Sequence, residues 1–262
     1  MTRIGIGFRS EMFDWSPAAI DADFFEVAPE NWIRRDRTPL YRLRDAGYPV
    51  QLHGVSLNLG GSGRMNRPFL RELRGLIDDI GAQHYSDHLA ASGDAHQLYD
   101  LFPVPFTETE VRRVSDRICE VQDVLGQRIG IENTTYYTNI GTLDEAAFLC
   151  RVAERADCDI LLDFNNISVN RKNHGTDDIA DFIARLPAAR VSYLHVAGHE
   201  FDARFGLYID THSQPVEPAT ARAAGAWAGR HGKDILLEWD NDIPDLATIN
   251  RELACLRTFT TT

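Results

Sequence analysis

The chain has 262 residues, 44% hydrophobic and 25% charged, a balance that supports a substantial core and suits one α/β barrel or two small domains. No run approaches the ~18 apolar residues of a membrane span, and the opening MTRIGIGFRS lacks the long hydrophobic region of a signal peptide, so a cytoplasmic protein is expected. A net charge of −12 argues against nonspecific binding to nucleic acid, and the four cysteines (Cys119, Cys150, Cys158, Cys255) show no CxxC spacing and read as reduced, buried thiols.

In chain order, short β-rich runs alternate with helical patterns. RIGIGF from Arg3, DFFEVA from Asp23 and PVQLHG from Pro49 are the first three runs. Pro68 then opens the amphipathic FLRELRGLIDDIGA, and HYSDHL from His84 follows. Thr107 and Glu110 form a capping-box pattern before a long amphipathic stretch that leads to RIGIEN from Arg128. Leu143 to Ala156 reads as a helix ahead of DILLDFNN from Asp159, and Asp177 to Leu186 as another ahead of RVSYLHVAG from Arg190. DILLEWD from Asp234 is the eighth run. Strands alternating with helices imply parallel pairing through crossovers, and eight such units in this length predict a TIM (β/α)8 barrel, with an open doubly wound sheet as the alternative. No linker, repeat or low-complexity segment divides residues 1–262, so a single domain is expected.

Functional groups of a TIM barrel sit at the C-terminal ends of its strands. Here the third run ends at His53, the fourth at His88 and the fifth at Glu132. The sixth ends at Asp163, Asn165 and Asn166, the seventh at His195 and the eighth at Glu238. IDTHS adds Asp210 and His212 in the loop between the last two strands, spaced so that an extended chain points both to one side. One such histidine reads as an ordinary hydrogen-bonded residue, but six strand ends with the same chemistry predict a metal site. Four imidazoles, four carboxylates and one or two amides exceed what one ion takes, so two or three ions sharing carboxylates are expected. Glu132 is the expected bridge, and Glu132, Asp163, His195 and Glu238 form the expected catalytic centre. His84, His96, His174 and His231 read as structural, and His199, four residues beyond His195, as a group behind the ligands.

No cysteine lies at a predicted strand end, and oxygen donors equal or outnumber imidazoles. That ligand set suits iron or manganese, and also hydrolytic zinc clusters. The four carboxylates offset only part of the charge of several divalent ions, so the centre would attract an anion such as a thiolate.

The motifs FFEVAPEN, LHGVSLNLG, SDHLA, IENTTYY, LLDFNNISVNRKNHG, LHVAGH, DTHSQPV and LLEWD occur in that order. The set resembles the multinuclear non-heme iron-dependent oxidative enzymes, a family of methanobactin-type and peptide-cysteine-modifying iron oxidases, from about Ile4 to Asp245. The resemblance implies a TIM barrel holding two or three irons, mixed-valence Fe(II)/Fe(III) when active, with O2 as co-substrate. It implies as ligands His53, His88, Glu132, Asp163, Asn166, His195, Asp210, His212 and Glu238. Strand periodicity instead favours Asn165 beside Asp163, and the motif position favours Asn166. The implied activity is oxidative modification of cysteine in a ribosomally made precursor peptide. The resemblance also implies a small partner protein that recognises the peptide leader, and the ending LRTFTTT soon after the eighth strand, with no added peptide-binding domain, accords with a separate one.

The same order of ligand types also resembles trinuclear zinc endonucleases, which place a histidine where this chain has Asn166. A sugar isomerase of similar barrel would use a strand-end lysine, yet Lys172 and Lys233 are the chain's two lysines and neither is at a predicted strand end. A non-catalytic metal-binding protein is a third class, disfavoured by an open mixed-ligand site. Basic residues in active-face loops, Arg34, Arg35, Arg37, Arg64, Arg67, Arg171 and Lys172, are expected to guide an acidic peptide, with Arg34, Arg64 and Arg171 as substrate-binding candidates. Phe8, Trp32, Tyr136 and Tyr137 are candidates to line the same groove.

Overall fold

The computed structural model describes residues 1–93, 101–138 and 141–260. Eight parallel strands close a barrel in chain order: β1 (Ile4–Gly7), β2 (Phe24–Val27), β3 (Val50–Gly54), β4 (Tyr85–His88), β5 (Gly130–Glu132), β6 (Asp159–Asp163), β7 (Val191–Val196) and β8 (Ile235–Leu237). β8 pairs with β1, so the barrel sheet has no open edge. Each strand falls inside one of the eight runs read from the sequence. The helices are α1 (Thr38–Asp45), α2 (Arg67–Ile80), α3 (Glu108–Leu125), α4 (Glu145–Ala156), α5 (Phe164–His174), α6 (Ile179–Ala184), α7 (Pro218–His231) and α8 (Leu246–Thr258). The chain crosses from β1 to β2 with two 3-10 turns, Ser10–Met12 and Pro17–Ala19, and no α-helix.

Helix ends follow local chemistry. The Asn66 side chain accepts from Phe69 N to start α2, and Gly81 closes it at φ 68°, a left-handed conformation that costs glycine little. Thr107 caps α3 at the amide of Glu110, as its pattern predicts, although the Glu110 carboxylate turns to Arg113 instead of closing the box. The apolar faces of α2 and α3, including Leu70, Leu73, Val114 and Ile118, are fully buried, each worth about 1.5–3 kcal/mol against exposure.

The barrel interior is layered. Phe24, Leu161, Tyr193 and Leu236 form a separate buried apolar cluster across it. Successive side chains of a strand alternate sides, so the residues two further on face inward above that plug. They are Glu26, Asp163, His195 and Glu238, all buried. The apolar layer thus sets the floor of a polar one.

One departure from the sequence reading matters. DILLDFNN does not stay extended to its asparagines, because β6 ends at Asp163 and α5 starts at Phe164. The Asp163 carboxylate caps that helix, accepting from Asn166 N at 2.6 Å. The strand periodicity that favoured Asn165 therefore has no strand to act on. α5 is hard to read in sequence because its buried residues include Asn165, Asn166, Ser168 and Asn170, which spoil an apolar stripe.

Candidate metal centre

Strand register brings the ligand candidates side by side. His88 is paired with Glu132 across β4 and β5, and Asp163 with His195 across β6 and β7. Glu132 Oε2 lies 3.1 Å from His53 Nε2 and 3.2 Å from His88 Nε2, while Oε1 is 3.4 Å from His195 Nδ1. Glu238 Oε2 lies 3.1 Å from His195 Nδ1 and 3.4 Å from His212 Nδ1, and Asp210 Oδ1 is 2.8 Å from His212 Nε2. Asp163 completes a group with Glu132, His195 and Glu238 in which the ligand atoms lie within 4.8 Å of one another. Asn166 borders this set. Its amide nitrogen donates to Asn133 O at 2.9 Å, and its oxygen accepts from Thr135, whose hydroxyl also lies 3.1 Å from Asp210. The nine residues therefore form one continuous constellation.

Hydrogen bonds behind the imidazoles fix which nitrogen faces inward. The His88 Nδ1–H donates to the Gly54 carbonyl at 3.0 Å, which leaves the Nε2 lone pair toward Glu132. His53 Nδ1 bonds the Ser86 hydroxyl at 2.9 Å, with Nε2 toward Glu132. The His195 Nε2–H donates to Glu26 at 3.0 Å and the His212 Nδ1–H to Asp240 at 3.3 Å. This is how ligating imidazoles are oriented, through an outer acceptor that sets the tautomer. His212 is held at φ 48°, uncommon for a non-glycine residue, by its amide bond to Gly198 O at 3.0 Å. Glycine is required there, since a Cβ on Gly198 would sit 2.0 Å from Gln214 O.

A metal is tested by what is left unpaired. His53 Nε2, Glu132 Oε2, Asp163 Oδ2, His195 Nδ1 and His212 Nε2 are buried and make no hydrogen bond. The short His53–Glu132 and His195–Glu238 distances do not contradict this, because the atoms face a shared centre rather than aligning donor to acceptor. Buried polar atoms without partners are costly, and five aimed together fit bound cations. Electrostatics agrees. Burial alone would lower the pKa of His53, yet the charge of Glu132 overrides it and raises it to about 9. His195 and His212 are also held well above their ordinary value against burial, by Glu26 and Glu238 and by Asp210 and Glu238 respectively. Asp163 is pushed well up by burial, then by Glu132 and Asp210. Without metal the cluster retains protons where cations would neutralise it.

Above the centre opens a cleft of about 840 Å³, lined by His53, His88, Asp210, His212 and Glu238 and, on its other wall, by Phe8, Phe13 and Trp32. Its arginines are Arg9, ion-paired with Asp240 and 3.8 Å from Glu238, and the exposed Arg35. The substrate-binding arginines expected from sequence lie elsewhere. Arg34 is turned onto Glu72 at 3.0 Å, Arg64 is exposed outside the cleft lining, and Arg171 pairs with Asp178 beside a separate cavity. Long side chains follow the nearest counter-charge, which loop position does not reveal. Phe8 and Trp32 line the cleft as expected; Tyr136 is packed against Phe106 and His174, and the Tyr137 hydroxyl accepts from Asp210 N at 3.3 Å. His84, His174 and His231 lie outside the constellation, and His96 is outside the described residues.

Two residues were missed. Glu26 touches His195 and, at 2.5 Å, the Tyr193 hydroxyl; Asp240 touches His212. Both signals were present: a lone acid two residues after Phe24 in an apolar strand, and an acid two residues after Glu238.

A family model described as RiPP precursor modification enzyme MbnB/TglH/ChrH, for ribosomally synthesised and post-translationally modified peptides, matches residues 3–261. A UPF0276 protein of Alcanivorax borkumensis is 40% identical over 268 residues, 95% of this chain and 88% of that protein. A UPF0276 protein of Pseudomonas aeruginosa is 41% identical over 264 residues, 97% and 90% respectively. Among solved structures, D-psicose 3-epimerase from Clostridium cellulolyticum superposes with a TM-score of 0.69 at 13% identity, covering 99% of this chain and 98% of that one. Endonuclease IV from Thermus thermophilus gives 0.66 at 15% identity, covering 98% and 99%. At such identities the likeness is one of fold, the closed eight-stranded barrel.

Proposed function

Because the chain belongs to the MbnB/TglH/ChrH family of RiPP precursor modification enzymes, we propose that it oxidises a cysteine of a precursor peptide with two or three irons and O2, in the cytoplasm and as a single domain. The observation that carries this reading is the set of five unpaired buried donor atoms converging beneath an open cleft. His53, His88, Glu132, Asp163, Asn166, His195, Asp210, His212 and Glu238 would hold the ions, with Glu132 offering one carboxylate oxygen beside His53 and His88 and the other beside His195. The donor set supports iron over structural zinc, since it mixes carboxylates with imidazoles and includes no cysteine. Bound there, iron would supply a Lewis-acidic seat for a thiolate and the electrons that O2 accepts.

The chain's own residues supply position and shielding. Gly54 O, Ser86, Glu26 and Asp240 lock the imidazoles, and the apolar layer of Phe24, Leu161, Tyr193 and Leu236 seals the centre from below. Phe8, Phe13 and Trp32 offer the peptide an apolar wall, and Arg35 marks the basic side of the mouth in place of Arg34, Arg64 and Arg171. None of the four cysteines is among the residues lining the cleft, so the sulfur comes from the substrate. Metal binding lowers a thiol's pKa below its free value of about 8.5, so cysteine would bind as thiolate near neutral pH. A small partner protein that presents the peptide leader completes the reading.

The test is mass spectrometry of a short Cys-containing peptide encoded beside the gene, incubated with enzyme and any adjacent small protein. A mass change that needs both Fe(II) and O2, and that Cys→Ser in the peptide abolishes, is expected. Turnover without oxygen would overturn the oxidase in favour of a hydrolase on the same barrel.

A further inference from the structure

A directional chain of hydrogen bonds runs from the outer face of α5 to Asp210. Asp210, as a carboxylate, only accepts, so the Asn165 group 2.6 Å from its Oδ1 must be the amide nitrogen, donating. The Asn165 oxygen then points the other way, 2.6 Å from His199 Nδ1, which must carry a hydrogen. That leaves the His199 Nε2 lone pair to accept from the Lys172 ammonium at 2.6 Å, and Lys172 also donates to Glu217. The opposite tautomer, with the His199 Nε2–H toward Glu217 at 3.4 Å, would require Asn165 to flip and set its oxygen against the Asp210 carboxylate. Burial and then Lys172 lower the pKa of His199, which accords with the neutral ring this ordering needs. Asn165 and Lys172 lie two turns apart on α5, so one helix holds both ends of the chain.

We infer that Asn165 and His199 are positioning residues that aim Asp210, and through it His212, at the metal cluster, with Lys172 as their anchor. The inference rests on the proposed function only in requiring that the cluster bind metal. It assigns Asn165 a role distinct from ligation and accounts for a buried histidine four residues past His195.

The experiment is anaerobic Fe(II) titration of metal-free protein against a coloured chelator, with iron per chain counted after desalting. Removing the partner that orients a ligand typically costs 10–100-fold in metal affinity. Asn165→Leu and His199→Leu should weaken one iron by that factor and leave the ions on Glu132 in place. His199→Asn keeps an N–H near the Nδ1 position, so it should restore most of the loss, which a packing role for the ring would not predict. Melting temperatures of the metal-free variants identify any that fail to fold, and the His199→Asn and His199→Leu pair decides if Asn165→Leu does. Wild-type affinity in both leucine variants, or equal loss in His199→Asn and His199→Leu, would overturn the inference. A wild-type protein that bound no Fe(II) would overturn the iron reading beneath it as well.

Discussion

Glu132→Gln probes what holds the metal-free centre together. The Glu132 carboxylate is buried, with His53 Nε2 at 3.1 Å and His88 Nε2 at 3.2 Å. Its charge is the main force opposing burial at His53, whose pKa rises from 6.5 to about 9. A group raised on folding contributes stability that is fully present below its unfolded value, near 6.5, and is lost as the pH climbs through about 9. That interval corresponds to roughly 3 kcal/mol, at about 1.4 kcal/mol per pH unit. With glutamine at this position burial wins, His53 stays neutral, and this part of the pH dependence disappears. Urea unfolding of chelator-treated protein, near pH 6 and again near pH 10, measures it. Glu132 also helps to raise His195, whereas His212 is raised by Asp210 and Glu238, so the difference between the two proteins reports the protons that Glu132 holds, with His53 as the main one. Wild type should lose at least about 3 kcal/mol more than the variant over that range. Equal losses would refute the assignment of the His53 proton to Glu132.

Glu132→Ala should reduce the iron content by more than one ion, whereas His212→Ala should empty mainly one, and elemental analysis of folded, anaerobically purified protein distinguishes them. Glu26→Gln swaps a charged acceptor for a neutral one behind His195 and Tyr193, and iron affinity should fall by about 10–100-fold in a chelator competition. Arg34→Ala removes an exposed pair with Glu72 and should change stability by no more than about 1 kcal/mol in urea and leave peptide turnover unaffected. Arg35→Glu should raise the KM for an acidic peptide with little change in kcat, and an unchanged KM would remove Arg35 from the mouth.

The eight strands and most of the constellation were legible in the sequence for one reason. Parallel strands that close in chain order bring their C-terminal ends to one rim, so His53, His88, Glu132, Asp163, His195 and Glu238 could be grouped before any distance was known. Asp210 and His212 followed from their place in the loop before the last strand. Whatever depended on nonlocal neighbours was not legible. The capping of α5 by Asp163, which ended the strand and separated the roles of Asn165 and Asn166, is by contrast a local bond to an amide three residues on, and it was hidden because the buried asparagines of α5 leave no apolar stripe. Glu26 acquires its role only when β2 and β7 sit across the barrel from one another with Tyr193 and His195 between them. Arg34 and Arg171 were assigned by loop position, yet Glu72 and Asp178 draw their guanidinium groups away from the cleft. Backbone alternation determines which side of a strand a residue faces, and this is local. The partner a long side chain reaches, and the nitrogen an imidazole turns inward, are decided by groups distant in sequence, and tertiary packing alone brings them within reach.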